Sequence, residues 1–164
     1  MTQTLQTTRL TLRPLVLADF PAYRDFWASE RSGFMGGPQG PVQAWFWFCN
    51  DIALWGLHGF GGFMIDAGGQ TVGHVGVNAG PLFPETEMGW FLYAGHEGRG
   101  YATEATAAVR DWALGPRALP TLVSYIAEGN AASAAVAARL GAQVDAAAVS
   151  MGPTMAVYRH RRAA

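Results

Sequence analysis

The sequence predicts a single domain of the α+β class. Its 164 residues suit one hydrophobic core, since half of them are hydrophobic and only 14% are charged. Three strand patterns follow one another between residues 60 and 93, which indicates an antiparallel meander, and helical patterns occur on both sides of this group. The chain has no internal repeat and no long linker. We therefore expect one domain over residues 1–164.

The elements before the meander follow from periodicity and turn residues. Thr8 to Arg13 alternates as a half-buried strand, and Pro14 closes it because proline lacks a backbone donor. Asp19 is placed to cap a first helix whose aromatic side chains share one face. A second helix is predicted from Pro41 to Trp55, with aromatic residues around its axis, so part of it is expected to be exposed.

The meander and the first helix after it have clear bounds. Strands are predicted at Phe60 to Asp66, Thr71 to Asn78 and Glu87 to Tyr93, with Ala67-Gly68-Gly69-Gln70 as a hairpin turn. The following helix extends from Gly100 to Leu114 and ends at a Gly-Pro pair.

The last third of the chain continues the mixed pattern. It contains a strand at Leu122 to Ile126, a helix at Ala131 to Leu140 stopped by Gly141, and strands at Gln143 to Ala148 and Met155 to His160. About four helices are thus expected beside a central sheet.

Composition excludes several classes of function. A net charge of -1 gives no field that would gather nucleic acid. The single Cys49 and a polar start without signal-peptide features indicate a reducing cytoplasm. Apolar runs are too short to cross a membrane. The four histidines are scattered, so no metal is expected.

A glycine-rich turn carries the first chemical signal. Glu97-Gly98-Arg99-Gly100-Tyr101-Ala102 leads from a strand into a helix, whose first N–H groups have no internal partner and favour an anion. Glycine at this turn permits close approach of a phosphate group. The chain has no lysine, which excludes a P-loop.

Several segments, in this order and at this spacing, resemble the GNAT N-acetyltransferase superfamily, particularly its ribosomal-protein N-terminal acetyltransferase-like branch. The segments are Thr8 to Leu15, Glu87-Met88-Gly89-Trp90, Gly98-Arg99-Gly100-Tyr101-Ala102-Thr103-Glu104-Ala105, Asn130-Ala131-Ala132-Ser133 and Arg139-Leu140-Gly141-Ala142. The resemblance covers nearly the whole chain. It implies a GNAT-like fold whose mostly antiparallel sheet is splayed at its centre.

The resemblance also implies acetyl-CoA between the splayed strands, with pantetheine on strand backbone and pyrophosphate on the glycine turn. The family pattern Q/R-x-x-G-x-G/A begins here with Glu97, an acidic departure that offers the phosphates no positive charge. The implied cofactor contacts are Phe91, Leu92, Tyr93, Glu97, Gly98, Arg99, Gly100, Tyr101, Ala102, Thr103, Asn130 and Ser133.

The resemblance further suggests roles in catalysis. Glu87 is the first choice for the base that deprotonates the amine, with His74 and Asp145 as alternatives; no acidic residue occurs from Ala146 to Tyr158, where some relatives carry one. Ser133 is the candidate to protonate the CoA thiolate. The oxyanion donor is the main-chain N–H of Phe91 or Leu92.

Each side-chain role has a structural alternative: Glu87 as a paired carboxylate, His74 as a core histidine, and Ser133 as an ordinary helix serine. Asn130 is expected to contact the cofactor or merely to cap the next helix.

The sequence thus predicts an N-acetyltransferase that moves the acetyl group to a primary amine, either a protein N-terminus or a small-molecule amine. Cys49 lies far in sequence from the glycine turn, which favours direct attack over an acyl-enzyme. An acyl-CoA-binding regulatory module without activity is the alternative, because fold does not guarantee activity. The oligomeric state is open, and a homodimer is compatible with the sequence.

Overall fold

The computed structural model describes residues 2–162 as one α+β domain. Its helices are α1 (Phe20–Trp27), α2 (Pro41–His58), α3 (Tyr101–Leu114) and α4 (Ala131–Arg139), with short 3-10 segments at Leu17–Asp19 and Glu30–Met35. Its strands are β1 (Leu5–Gln6), β2 (Leu10–Pro14), β3 (Gly62–Ala67), β4 (Gln70–Asn78), β5 (Glu87–Leu92), β6 (Val123–Ala127), β7 (Gln143–Val144) and β8 (Met155–Arg159).

The strands form one eight-stranded sheet in the order β1-β2-β3-β4-β5-β6-β8-β7. Every neighbouring pair within the described chain is antiparallel except β5 and β6. Those two run parallel and pair only at Glu87 and Val123, near the start of each strand, after which they separate. The predicted mixed, mostly antiparallel and splayed sheet is confirmed.

The two faces of the sheet carry separate cores, because side chains alternate along each strand. Val75, Val77 and Met88 face α3 and α4, in a cluster that includes Val109 and Val136. On the opposite face, Met64 and Phe91 pack with aromatic residues of α1 and the first half of α2; these are Tyr23, Phe26, Trp27 and Phe48. Helices therefore cover both faces of β5, the strand that borders the gap left where β5 and β6 separate.

The backbone conformation of the turn between β3 and β4 explains why the hairpin could be predicted from the sequence. Ala67 pairs directly with Gln70, and the two residues between them, Gly68 and Gly69, have φ values of +57° and +83°. Two consecutive positive φ values define the type I′ hairpin turn, which glycine adopts without strain. This turn fixes the register of β3 against β4.

Three details differ from the sequence predictions. Asp19 does not cap α1, because its carboxylate accepts hydrogen bonds from the Val16 N–H and from Arg13. Helix α2 continues to His58, one turn past the predicted end. The strand predicted from Gln143 ends at Val144, where the chain turns and Asp145 accepts from the Ala147 N–H. None of the described helices is long and apolar enough to cross a membrane.

Arg13 joins β2 to three other elements. Its guanidinium donates to Asp19 at 2.8 Å, to Asp66 at 2.7 Å and to Thr71 at 3.1 Å. Burial would raise the pKa of Asp19, but the hydrogen bonds from Arg13 and Val16 and the charge of Arg13 lower it below its usual value. The ionised form of Asp19 is therefore favoured in the folded protein.

Arg13→Gln should lower the free energy of unfolding by about 2 kcal/mol at neutral pH, because it leaves a nearly buried carboxylate without its cation. Urea denaturation measures the change, with Arg24→Gln, on an exposed pair, as a control expected to cost less than about 0.5 kcal/mol. Since the folded pKa of Asp19 is lowered, its contribution is present above about pH 4 and is lost as pH falls further. If the difference in unfolding free energy between Arg13→Gln and the wild type stays the same in acid, this account is wrong.

Candidate active site

The gap between β5 and β6 exposes main-chain groups of β5. The Tyr93 N–H donates to Val72 of β4, whereas the Leu92 carbonyl points away from β4 and accepts from Arg31 at 3.1 Å. Because successive residues of a strand alternate in direction, the Leu92 N–H also points into the gap and the Phe91 N–H points to β4. Of the two predicted oxyanion donors, Leu92 therefore has the suitable direction.

The glycine turn lies at the mouth of this gap. Gly98 and Gly100 have φ values of +72° and +79°, a backbone conformation that residues with a Cβ atom adopt only with strain. Gly100 is the residue before the first turn of α3, so the free N–H groups of Tyr101 and its neighbours point out of the helix end. The turn thus offers backbone N–H groups where the sequence predicts an anion site.

Arg9 holds the glycine turn from the side, and sequence reasoning did not single it out. Its guanidinium donates to Glu104 at 2.7 Å and to the Arg99 carbonyl at 2.9 Å, and it lies over the Tyr101 ring at 5.1 Å. Arg9 and Glu104 are 95 residues apart in sequence, so no local pattern shows the pair. Arg9 fixes the turn and brings positive charge to its edge.

Glu97 is neutralised by a second arginine that the sequence analysis missed. Arg31, from the 3-10 segment after α1, forms an ion pair with Glu97, which also accepts from the Gly95 N–H at 2.9 Å. Burial acts to raise the pKa of Glu97, but the backbone N–H groups and the charge of Arg31 lower it. The acidic departure from the family pattern is therefore matched by a cation from another segment.

Helix α4 forms the opposite wall of the gap. Asn130 caps it, since its side-chain oxygen accepts from the Ser133 N–H at 3.1 Å. Asn130 and Ser133 also line the groove beside the glycine turn. The capping role of Asn130 is confirmed, and it does not exclude contact with a ligand.

The walls enclose an open groove of about 960 Å³. Most of the predicted cofactor contacts line it, namely Phe91, Leu92, Glu97, Gly98, Gly100, Tyr101, Ala102, Thr103, Asn130 and Ser133. Tyr93 packs against the core on the α1 side, and Arg99 offers its carbonyl to Arg9, so neither is part of the lining. The groove therefore brings together residues of the glycine turn and of the Asn130-Ala131-Ala132-Ser133 segment.

Glu87 is buried at the narrow end of the gap. It accepts a hydrogen bond from Asn78 at 2.7 Å and has no arginine partner among residues 2–162. Burial raises the pKa of Glu87 to about 7, with Asn78 acting to lower it and the charge of Asp51 acting to raise it. A carboxyl group that titrates near neutrality suits general-base chemistry.

The other two base candidates have different surroundings. His74 is buried between Tyr23 and Phe91, with its Nε2 atom 3.2 Å from Asp51. Asp145 lies after β7 and pairs with Arg159 at 2.7 Å, and this hydrogen bond lowers its pKa. A carboxylate held by arginine is a weaker base than Glu87. In the part of the chain described, no three His, Cys, Asp or Glu side chains are grouped to hold a metal ion.

Comparison with known proteins decides the family. A model of the GNAT acetyltransferase domain matches residues 9–143. The chain belongs to the GNAT acetyltransferase family. Among solved structures, an acetyltransferase from Agrobacterium tumefaciens str. C58 is 55% identical, with 98% of this chain and 95% of that chain covered and a TM-score of 0.95. No curated protein matches the sequence.

Two further structures share the GNAT fold at lower identity. An acetyltransferase of the GNAT family from Bacillus anthracis is 16% identical, with coverage of 96% and 95% and a TM-score of 0.75. RimL, a ribosomal L7/L12 alpha-N-protein acetyltransferase solved with coenzyme A, is 18% identical, with 96% of each chain covered and a TM-score of 0.76. Family membership confirms the predicted enzyme class and acetyl-CoA as co-substrate.

Gly100→Ala should weaken acetyl-CoA binding about tenfold. The added Cβ would strain the positive φ at the start of α3 and lie 3.2 Å from Arg9, which displaces the backbone donors. Isothermal titration calorimetry measures the affinity, and Gly152→Ala is the matched control because its Cβ would meet open space at an unstrained φ. Equal affinities of the two variants would count against this turn as the phosphate site.

Proposed function

We propose that this GNAT enzyme acetylates a primary amine, on a protein N-terminus or a small molecule, by direct attack on bound acetyl-CoA. One observation carries the proposal: the unpaired edge of β5 opens between the glycine turn and α4, with Glu87 at its narrow end. This arrangement supports a main-chain site for the donor, with Glu87, which is buried and does not line the groove, as the base at the start of the same strand.

In the proposed complex, the donor is held mainly by backbone. Pantetheine amides pair with the free edge of β5 near Leu92, and the pyrophosphate accepts from N–H groups at the start of α3. Arg9, Arg31 and Arg139 line the groove; Glu104 and Glu97 balance two of these charges, which leaves a net positive charge among the lining residues. The coenzyme A complex of RimL, which shares the fold, supports this use of the groove.

The proposed reaction needs a proton acceptor, an oxyanion donor and a proton donor. Glu87 takes a proton from the ammonium group, directly or through water, and the freed nitrogen lone pair attacks the thioester carbon. The Leu92 N–H stabilises the oxyanion as it forms. When the carbon–sulfur bond breaks, the nitrogen loses its second proton to solvent and becomes the amide, the thiolate takes the Ser133 hydroxyl proton, and Ser133 recovers a proton from solvent.

Direct attack is supported by the position of the single cysteine. Cys49 lies on α2 and is not part of the groove lining. A covalent acetyl-enzyme would need a nucleophile beside the thioester with a base near it. The groove therefore favours a single transfer step from sulfur to nitrogen.

The charges of the groove bear on the acceptor. Its two acidic lining residues, Glu97 and Glu104, are already paired with Arg31 and Arg9. Polycationic amines would need free carboxylates here, so the groove favours an acceptor with one ammonium group. RimL acts on an α-amino group of a ribosomal protein, which supports testing peptide N-termini first. We propose action in the cytoplasm, consistent with a lone cysteine, as a monomer or homodimer.

A thiol-release screen tests the function. Purified enzyme with acetyl-CoA should release CoA with at least one member of a panel of peptides with free N-termini and small primary amines. The same peptides with blocked N-termini are the control and should give only background release. Background release across the whole panel would refute the proposal, and acetylated enzyme trapped without acceptor would refute direct attack.

Glu87→Gln should lower kcat by about a hundredfold or more while leaving acetyl-CoA affinity unchanged. Since the base must be deprotonated, kcat/KM of the wild type should fall as pH drops below about 7, and the variant should lose this acid limb. Steady-state kinetics at pH values from about 5.5 to about 9 measure the pH dependence of kcat/KM for both proteins. Glu128→Gln, at an exposed carboxylate, is the matched control. Persistence of the limb in Glu87→Gln would assign the base to another group.

A further inference from the structure

A row of glycines crosses the centre of the sheet. Gly62 of β3 pairs with Gly76 of β4, and Gly76 pairs with Gly89 of β5. Because side chains alternate along a strand, all three positions face α1 and α2, and this face of the sheet therefore carries no side chains at the three positions. Glycine weakens a strand interior, and such a position often marks close approach of another group.

Polar side chains occupy the space above this glycine row. A Cβ on Gly62 would lie 2.7 Å from His74 Nε2 and 2.8 Å from Asp51 Cβ, and one on Gly76 would lie 2.9 Å from the His74 ring. At the other end, a Cβ on Gly89 would lie 3.0 Å from Glu87 Oε1. The row therefore makes room for Asp51, His74 and Glu87.

Asp51 is fixed within the apolar core of this face. Its Oδ2 atom accepts from the Tyr23 hydroxyl at 2.8 Å, and His74 Nε2 lies 3.2 Å from the same oxygen. Asp51 and His74 are 5% and 6% exposed. The contact with Asp51 is not aligned as a hydrogen bond, so His74 Nε2 has no hydrogen-bond partner within residues 2–162.

Glu87 faces few other polar groups. Those that act on it are Asn78 of β4, which donates to its carboxylate, Asp51 of α2 and Tyr125 of β6, while Tyr23 and His74 contact Asp51. None of the ion pairs formed within the described chain brings an arginine to Asp51 or Glu87. Two carboxyl groups thus share one apolar region, and the charge of Asp51 acts to raise the pKa of Glu87.

We propose that Asp51 is a positioning residue for proton removal: Tyr23 holds it against Gly62 and Gly76, and from there it acts across the glycine row on Glu87, which lies over the neighbouring Gly89. This inference rests on the proposed role of Glu87. The proton moves from the ammonium nitrogen of the acceptor to a Glu87 oxygen and later returns to solvent. Asp51 touches no reacting atom and acts only through Glu87. Gly89 contributes by leaving space for the Glu87 carboxylate, which extends along β5 toward Leu92.

Two substitutions should move the acid limb of kcat/KM in opposite directions. Asp51→Asn removes a negative charge and keeps an oxygen for the Tyr23 hydroxyl, so the limb should move to lower pH by roughly one unit. Asn78→Ala removes the donor that stabilises ionised Glu87, so the limb should move to higher pH. Damage to the fold alone lowers kcat without producing opposite shifts. Thermal melts check that each variant is folded.

A carbon-13 NMR titration of the side-chain carboxyls gives a readout that does not need turnover. The Glu87 resonance, assigned with Glu87→Gln, should shift its midpoint downward in Asp51→Asn. Gly89→Ala should lower kcat with unchanged acetyl-CoA affinity, whereas Gly56→Ala, where a Cβ meets open space, should retain wild-type kinetics.

The outcomes separate this inference from the proposed function. If the wild type releases CoA but Asp51→Asn changes neither the acid limb of kcat/KM nor the Glu87 titration midpoint, the role of Asp51 is refuted and the proposed function stands. An acid limb that survives in Glu87→Gln overturns it as well, because the base is then another group. Absence of CoA release by the wild type, with the Glu87 midpoint shifted as expected, counts against the proposed function and leaves the charge coupling supported.

Discussion

The interrupted pairing between β5 and β6 is the constraint on which the rest of the structure depends. After the single bridge from Glu87 to Val123, main-chain groups of β5 lose the neighbour that a continuous sheet would give them. Backbone N–H and C=O groups removed from water need partners. Arg31 supplies one by donating to the Leu92 carbonyl, and the Leu92 N–H stays directed into the groove. A ligand that carries amides completes the edge as a further strand would.

The narrow end of the gap is held by side chains on both faces. On the α3 side, Ser124 donates to the Met88 carbonyl and accepts from His160 Nε2 at 2.9 Å, which ties β5 to β6. Burial, aided by the charge of Arg110, lowers the pKa of His160 to about 4, so the imidazole is neutral at pH 7. Near the same end, Arg159 donates to Glu85 at 2.8 Å. These contacts prevent the gap from extending into the sheet.

Local patterns predicted the elements of the fold and the donor side of the site. Gly68, Gly69, Gly98 and Gly100, and Asn130 before α4, act within a few residues of their own positions, so the sequence indicates their roles. Arg9 with Glu104 and Arg31 with Glu97 could not be predicted, because each pair forms only when distant segments meet in the folded chain. The same holds for Asp51, which lies against Gly62 of β3 and Gly76 of β4 only in the folded chain.

Strand β5 divides the proposed chemistry between its edge and its face. Its edge offers backbone groups to the donor, and backbone recognition depends little on the side chains present. Its face toward α1 and α2 carries Glu87 and the buried groups around it, where each side chain and each missing Cβ matters. A family motif can therefore identify the donor strongly while leaving the acceptor open. In the proposed mechanism the acceptor gives its proton to Glu87 on the face that also carries Asp51, His74 and the glycine row.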